Sequence, residues 1–204
     1  MKKFLNNPRY LALTTAVIGL LCFIFDIIIG DNLIQITSIY PGLLIVIYLL
    51  LIFFNKIKNI ELWNKVLLAL IILSLILSGI SLITVLSSTY VEFGNTFYLV
   101  FANASSLTYG AISYPHIFGG IIYYILTGVI LFGIITKKKV PHKLFTTICL
   151  VIMALLFLLA IVLEIMDSDV IHVLEFIKAL IAPIGMITFS LFLGQYAKSV
   201  IKEK

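Results

Sequence analysis

Apolar residues in this chain run in long blocks, and the polar positions gather at the breaks between them. A helix needs about 20 mostly apolar residues to cross a hydrocarbon core of ~30 Å. Residues 10–29, 66–87, 144–165 and 170–193 meet that requirement directly. Residues 40–54 meet it once the run is lengthened outward to 36, and 117–135 forms a sixth block between Tyr114-Pro115 and Lys137-Lys138-Lys139. The pattern predicts an all-α integral membrane protein, a single domain over 1–204 with a bundle of six transmembrane helices. Short polar turns join the blocks at 30–32 and 167–169 on one side, and at 55–64 and 137–141 on the other.

Charge orients the bundle. Thirteen of the fourteen basic residues fall beside the termini and the turns at 55–64 and 137–141: Lys2, Lys3, Arg9, Lys56, Lys58, Lys65, Lys137, Lys138, Lys139, Lys143, Lys198, Lys202 and Lys204. The opposite half carries Asp26, Asp31, Glu92, Glu164, Asp167, Asp169 and Glu175 against the single Lys178. By the positive-inside rule both termini are expected in the cytoplasm. The net charge of +5 reflects this asymmetry and is no nucleic-acid footprint. Residues 97–113 are apolar enough to suggest a seventh span, which would throw the later lysines to the wrong side. We therefore expect 88–116 to be an outer loop holding one interfacial or re-entrant helix. Six of the ten tyrosines lie between 90 and 124, and such amphipathic rings settle at headgroup depth.

Composition narrows the class further. With 62% hydrophobic and 11% charged residues, the chain is neither a water-soluble globule nor a disordered, collagen-like or disulfide-stapled one. The first block ends in Ile-Gly-Asp without a small-x-small cleavage site, so it is expected to stay as an anchor. The Ile/Leu/Asn/Lys-rich style points to a multi-pass protein of a bacterial cytoplasmic membrane. Small residues should pack the helices: Ser74, Ser78, Ser81 and Gly79 in the third block, Gly119, Gly120, Gly128 and Gly133 in the fourth, and Ala12, Ala16 and Gly19 in the first.

No reaction centre is legible. G-x-S-x-G, H-E-x-x-H, C-x-x-C and a phosphate-binding G-x-x-x-x-G-K-[ST] loop are all absent. No catalytic residue, metal or cofactor is expected, and His116 and His172 have no other ligand-like groups beside them.

One constellation stands out, because ionisable groups inside a span are costly and are functional candidates by default. His172, Glu175 and Lys178 recur every third residue in the sixth block. At ~1.5 Å per residue, Glu175 lies about 9 Å below Asp169 and Lys178 about 13 Å. Asp26 and Glu164 end the first and fifth blocks at comparable depth, and Tyr109 and Tyr114 belong to the loop above. Pro183 and Gly185 follow, and the proline should kink the helix near mid-membrane, which resembles the broken helices that line transporter sites. We take Glu175, Lys178, His172, Asp26, Glu164, Tyr109 and Tyr114 as the candidate ligand-binding set.

Two functions fit: a small-molecule binding or transport subunit with an outward-facing site, or a non-catalytic accessory, immunity or assembly subunit that binds another membrane protein. A lipid or isoprenoid enzyme using Glu175 or Asp26 as base has only lone carboxylates behind it. The length, the six spans with both termini inside and Ala12-Leu13-Thr14-Thr15-Ala16 are similar to the substrate-capturing S subunits of energy-coupling-factor vitamin transporters. That resemblance implies an outward ligand site and an A-x-x-x-A stripe that docks a transmembrane partner in an ATPase-bearing complex. The chain departs from it in a short first outer loop and a single tryptophan, Trp63.

Overall fold

The computed structural model describes residues 7–29, 36–86, 113–137, 143–167 and 173–202. Over these the chain is all-helical: α1 (Pro8–Ile29), α2 (Ile36–Phe53), α3 (Ile60–Leu86), α4 (Ser113–Thr136), α5 (Lys143–Asp167) and α6 (Val173–Lys202). Among the described residues four stretches are long and apolar enough to cross a membrane: Pro8–Phe25, Phe118–Thr136, Lys143–Leu163 and Leu180–Val200, with a shorter apolar stretch at Leu43–Phe53. This is a helical, multi-pass membrane protein.

Local chemistry sets the helix ends. The Asn7 side chain accepts the Arg9 N–H at 3.0 Å, with Pro8 in the first helical position, where its missing donor costs nothing. Asn59 caps α3 by accepting the Leu62 N–H at 3.2 Å. The α2 terminus closes with Asn55 at φ 56°, Asn55 donating to the Ile52 carbonyl and Lys56 to that of Leu51. That pair of bonds is a Schellman motif, with asparagine in the left-handed position usually held by glycine. Lys137 ends α4 in the same conformation, at φ 54°.

These ends correct several expectations. The turn expected over 55–64 is shorter, because Asn59 starts α3 at Ile60 and takes Asn64 into the helix. The expected outer loop ends earlier than 116, since α4 begins at Ser113 and accommodates Pro115 in its first turn. α6 runs as one helix to Lys202 with Pro183 inside it. The segment 88–112 lies outside the described residues.

Connectivity and contacts give the arrangement. Glu61 of α3 lies within electrostatic reach of Lys137 at the end of α4, and a Cβ on Gly128 would stand 3.3 Å from Ile71, so α3 and α4 run antiparallel. Tyr48 near the end of α2 bonds Asn64 near the start of α3 and meets Phe192 of α6. One end of the bundle therefore gathers the C-terminal ends of α2, α4 and α6 with the N-terminal ends of α3 and α5. Lys56, Lys58, Lys65, Lys137, Lys143 and Lys198 are all exposed there.

The core forms around α6 and α4. α6 packs most extensively on α1 and next on α4; α4 in turn carries α3 on one side and α5 on the other. The buried side of α6 repeats at helical spacing as Ala182, Met186, Phe189, Leu193 and Ala197. Ala12 and Ala16 of α1 are fully buried. Small residues there let two backbones approach, which is how helices associate in lipid without a hydrophobic driving force. This overturns the docking role implied for the A-x-x-x-A stripe, because its alanines already face the chain's own interior. Gly119 packs as expected, its Cβ position 3.0 Å from the Phe157 ring. Among the described residues none lies within 4 Å of the Cβ position of Gly79.

Candidate functional site

The helices bring most of the expected ligand-binding positions to one end of the bundle. Glu175 and Lys178 occupy the first two turns of α6, Asp26 the last turn of α1, Glu164 the last turn of α5 and Tyr114 the first turn of α4. Only five residues join α5 to α6, which keeps Glu164 and Glu175 at the same end. His172 and Tyr109 lie outside the described residues, as do the side chains of the other five. Despite that short connection α5 and α6 touch only sparingly among the described residues, whereas α6 lies close against α1. The two helices with the charged turns are thus neighbours in sequence without being closely packed. Compared with protein-family models, with curated proteins and with solved structures, the chain matches none.

A second constellation, not foreseen from sequence, occupies the core nearer the lysine-bearing end. The Tyr48 hydroxyl donates to Asn64 Oδ1 at 2.8 Å, and both side chains are buried. The Trp63 ring lies 6.1 Å from that of Tyr48, and Phe192 meets Tyr48 edge-on at 6.3 Å. From Phe192 the rings continue to Tyr196, stacked at 5.7 Å, and through Phe189 to Tyr123 on α4. Four helices are joined by this one aromatic cluster. A sequence signal for its anchor existed: Asn59 followed by Glu61 in the first turn is an N-terminal helix signature, and it would have moved Asn64 from a turn into a helix.

Hydroxyls elsewhere in the bundle mostly bond back to their own helix. Thr127 donates to the Tyr123 carbonyl at 2.7 Å, Ser190 to that of Met186 at 2.9 Å and Ser74 to that of Leu70 at 2.9 Å. Thr15 Oγ1 and the Tyr123 hydroxyl are buried and make no such bond. Hydroxyls and one amide donate and accept hydrogen bonds but do not titrate near neutral pH. The cluster therefore suits helix pairing rather than proton transfer. Among the described residues no three His, Cys, Asp or Glu side chains gather to hold a metal.

The Tyr48–Asn64 bond is directly testable. Tyr48→Phe leaves the buried Asn64 oxygen without its donor, which should cost about 1 kcal/mol, between the ~0.6 typical of interhelical bonds in membranes and the upper range for a stranded buried group. Adding Asn64→Leu removes the stranded group and should recover much of that loss. Unfolding midpoints in mixed detergent micelles, followed by emission of the lone Trp63, measure both. A double variant worse than the sum of the singles would show that the pair acts through something other than this bond.

Proposed function

We propose that the protein is a six-span subunit of a bacterial cytoplasmic membrane, with both termini in the cytoplasm, that binds a small molecule from the outer side. The exposed lysines at one end of the bundle support the orientation, since cytoplasmic turns carry the excess of Lys and Arg. In this reading the ligand is held between the outer ends of α1, α5 and α6, and its candidate polar groups are Glu175, Lys178, His172, Asp26, Glu164, Tyr109 and Tyr114. The observation that carries this is the sparing contact, among the described residues, of α5 with α6, the two helices whose connected ends bear Glu164, Glu175 and Lys178. Ionisable groups within a membrane span demand partners, and a polar ligand between loosely apposed helices would supply them.

A second reading rests on α5. Only 17% of its Lys143–Leu163 stretch is buried, and it leans on α4 alone for most of its contact. Such a face also suits an accessory or assembly subunit seated against another membrane protein.

Native mass spectrometry of the protein extracted gently from its own membrane separates the two. We expect a small adduct that disappears in Glu175→Gln and in Lys178→Met. A co-purifying polypeptide with no small adduct would replace the ligand-binding proposal with the accessory one.

A further inference from the structure

A hydroxyl excluded from water costs free energy unless it finds a hydrogen-bond partner. Tyr48, Thr127, Ser74 and Ser190 meet that demand with bonds of 2.7 to 2.9 Å. Tyr123 on α4 does not: its side chain is fully buried and its hydroxyl makes no hydrogen bond. Phenylalanine would fill the same space without that cost, so packing alone gives no reason for the oxygen.

The neighbours of Tyr123 place that oxygen at one seam of the bundle. Its ring lies 6.4 Å from that of Phe189 on α6. Gly119, one turn earlier and about 40° around α4, meets the Phe157 ring of α5. The sector of α4 that holds both residues therefore faces α5 and α6 together. Those two helices each pack on α4, yet among the described residues they touch one another only sparingly. Long helical side chains lean toward the N-terminus of their helix, and α4 begins at the end opposite the lysines. The hydroxyl is thus aimed along the α5–α6 seam, toward the helix ends that bear Glu164, Glu175 and Lys178.

Helix rise gives the distance to be spanned. Lys178 stands about 16 Å above Phe189 along α6, and Glu164 about 10 Å above Phe157 along α5. A molecule on the order of 10 Å long reaches from the charged turns to the Tyr123 oxygen. Asp26, Glu164 and Glu175 against Lys178 leave the outer end acidic, which selects a cation there. The Phe157 and Phe189 rings favour a flat apolar body.

We propose that Tyr123 is the specificity-determining floor of the outward ligand site, its hydroxyl donating to an acceptor oxygen at the deep end of an elongated aryl amine. This rests on the outward-site reading and adds the chemical class of the ligand and its inner contact. The hydroxyl is fully covered in this arrangement, so seating the amine parts α5 from α6, a pair with little mutual contact to lose.

The test uses the full chain in mixed micelles and two synthetic amines, para-acetylphenylpropylamine and para-isopropylphenylpropylamine. They share shape and charge, but only the first carries an acceptor at its far end. In native mass spectrometry titrations, wild type should hold the acetyl amine about tenfold more tightly. Tyr123→Phe should abolish that difference by weakening the acetyl amine alone. Glu175→Gln should weaken both amines equally and keep the difference. With no amine present, Tyr123→Phe should leave the unfolding midpoint unchanged or raised, whereas Tyr48→Phe lowers it. A preference that survives Tyr123→Phe, a midpoint lowered by Tyr123→Phe, or equal binding of the two amines to wild type would overturn the role of Tyr123. Binding of neither amine to wild type would overturn the ligand class and the proposal with it. The outward-site reading falls separately, when the native protein carries a polypeptide and no small adduct.

Discussion

Phe192→Ala should be the most damaging single truncation in the bundle. Its ring is fully buried and meets Tyr48 of α2 together with Phe189 and Tyr196 of its own helix. Removing it detaches α2 from α6 at the level where Tyr48 also holds α3 through Asn64. Lipid is as apolar as the protein interior, so the water-transfer part of the usual cost is missing and lost contact dominates. A cavity on the order of 100 Å3 at about 24 cal/mol per Å3 gives roughly 2 kcal/mol, before the weakened ring contacts are added. We expect a total of about 3 kcal/mol, read as a lowered unfolding midpoint in mixed micelles. Phe145→Ala makes the same chemical change on an exposed face of α5 and should leave the midpoint nearly unchanged. Equal effects at both sites would mean that the aromatic cluster does not hold the helices.

Apolar blocks were enough to locate the helices, because crossing a bilayer fixes both length and composition. Where the helices end depends on single side chains that those blocks do not weigh. Asn59 moves the start of α3 back to Ile60, and the amphipathic run through Gln195 and Lys198 carries α6 on to Lys202. Which helices touch is less legible still. α1 and α6 stand at opposite ends of the chain, yet they form the most extensive contact. Ala12 and Ala16 showed that α1 approaches some backbone closely, but no local signal says whether that backbone belongs to the same chain or to a partner. Small size alone does not separate Gly119, whose Cβ position meets the Phe157 ring, from Gly79, whose Cβ position has no described residue within 4 Å. The Tyr48–Asn64 bond needs two helix ends at one depth, a fact of tertiary packing alone. For the candidate ligand site the sequence reading gave the charged positions, and the fold adds that they share one end of the bundle.

Ala16→Leu should unsettle the protein by itself, with no partner present. Ala12, Thr15 and Ala16 are buried on α1, and the helix presents its large residues Val17, Leu21, Ile24 and Ile28 outward. Adding three carbons to Ala16 forces α1 away from the helices it packs against, α6 and α2. Overpacking of this kind costs about 1–3 kcal/mol when neighbours can shift. Here the upper end applies, because α1 is braced on both of those helices. Val17→Leu, one residue along and exposed, is the matched control and should leave stability unchanged. The comparison also separates the two roles that an A-x-x-x-A stripe can serve. A stripe reserved for a transmembrane partner would tolerate leucine in the isolated chain and fail only on assembly. A stripe packed inside its own bundle fails at once, in purified protein, as a lowered midpoint. An unchanged midpoint for Ala16→Leu would place the stripe outside the core and restore the docking role that the S-subunit likeness implied. With the expected loss, any partner must instead seat elsewhere. The broad exposed face of α5, from Leu144 through Leu155 to Ile165, is where an added helix would displace lipid without displacing protein.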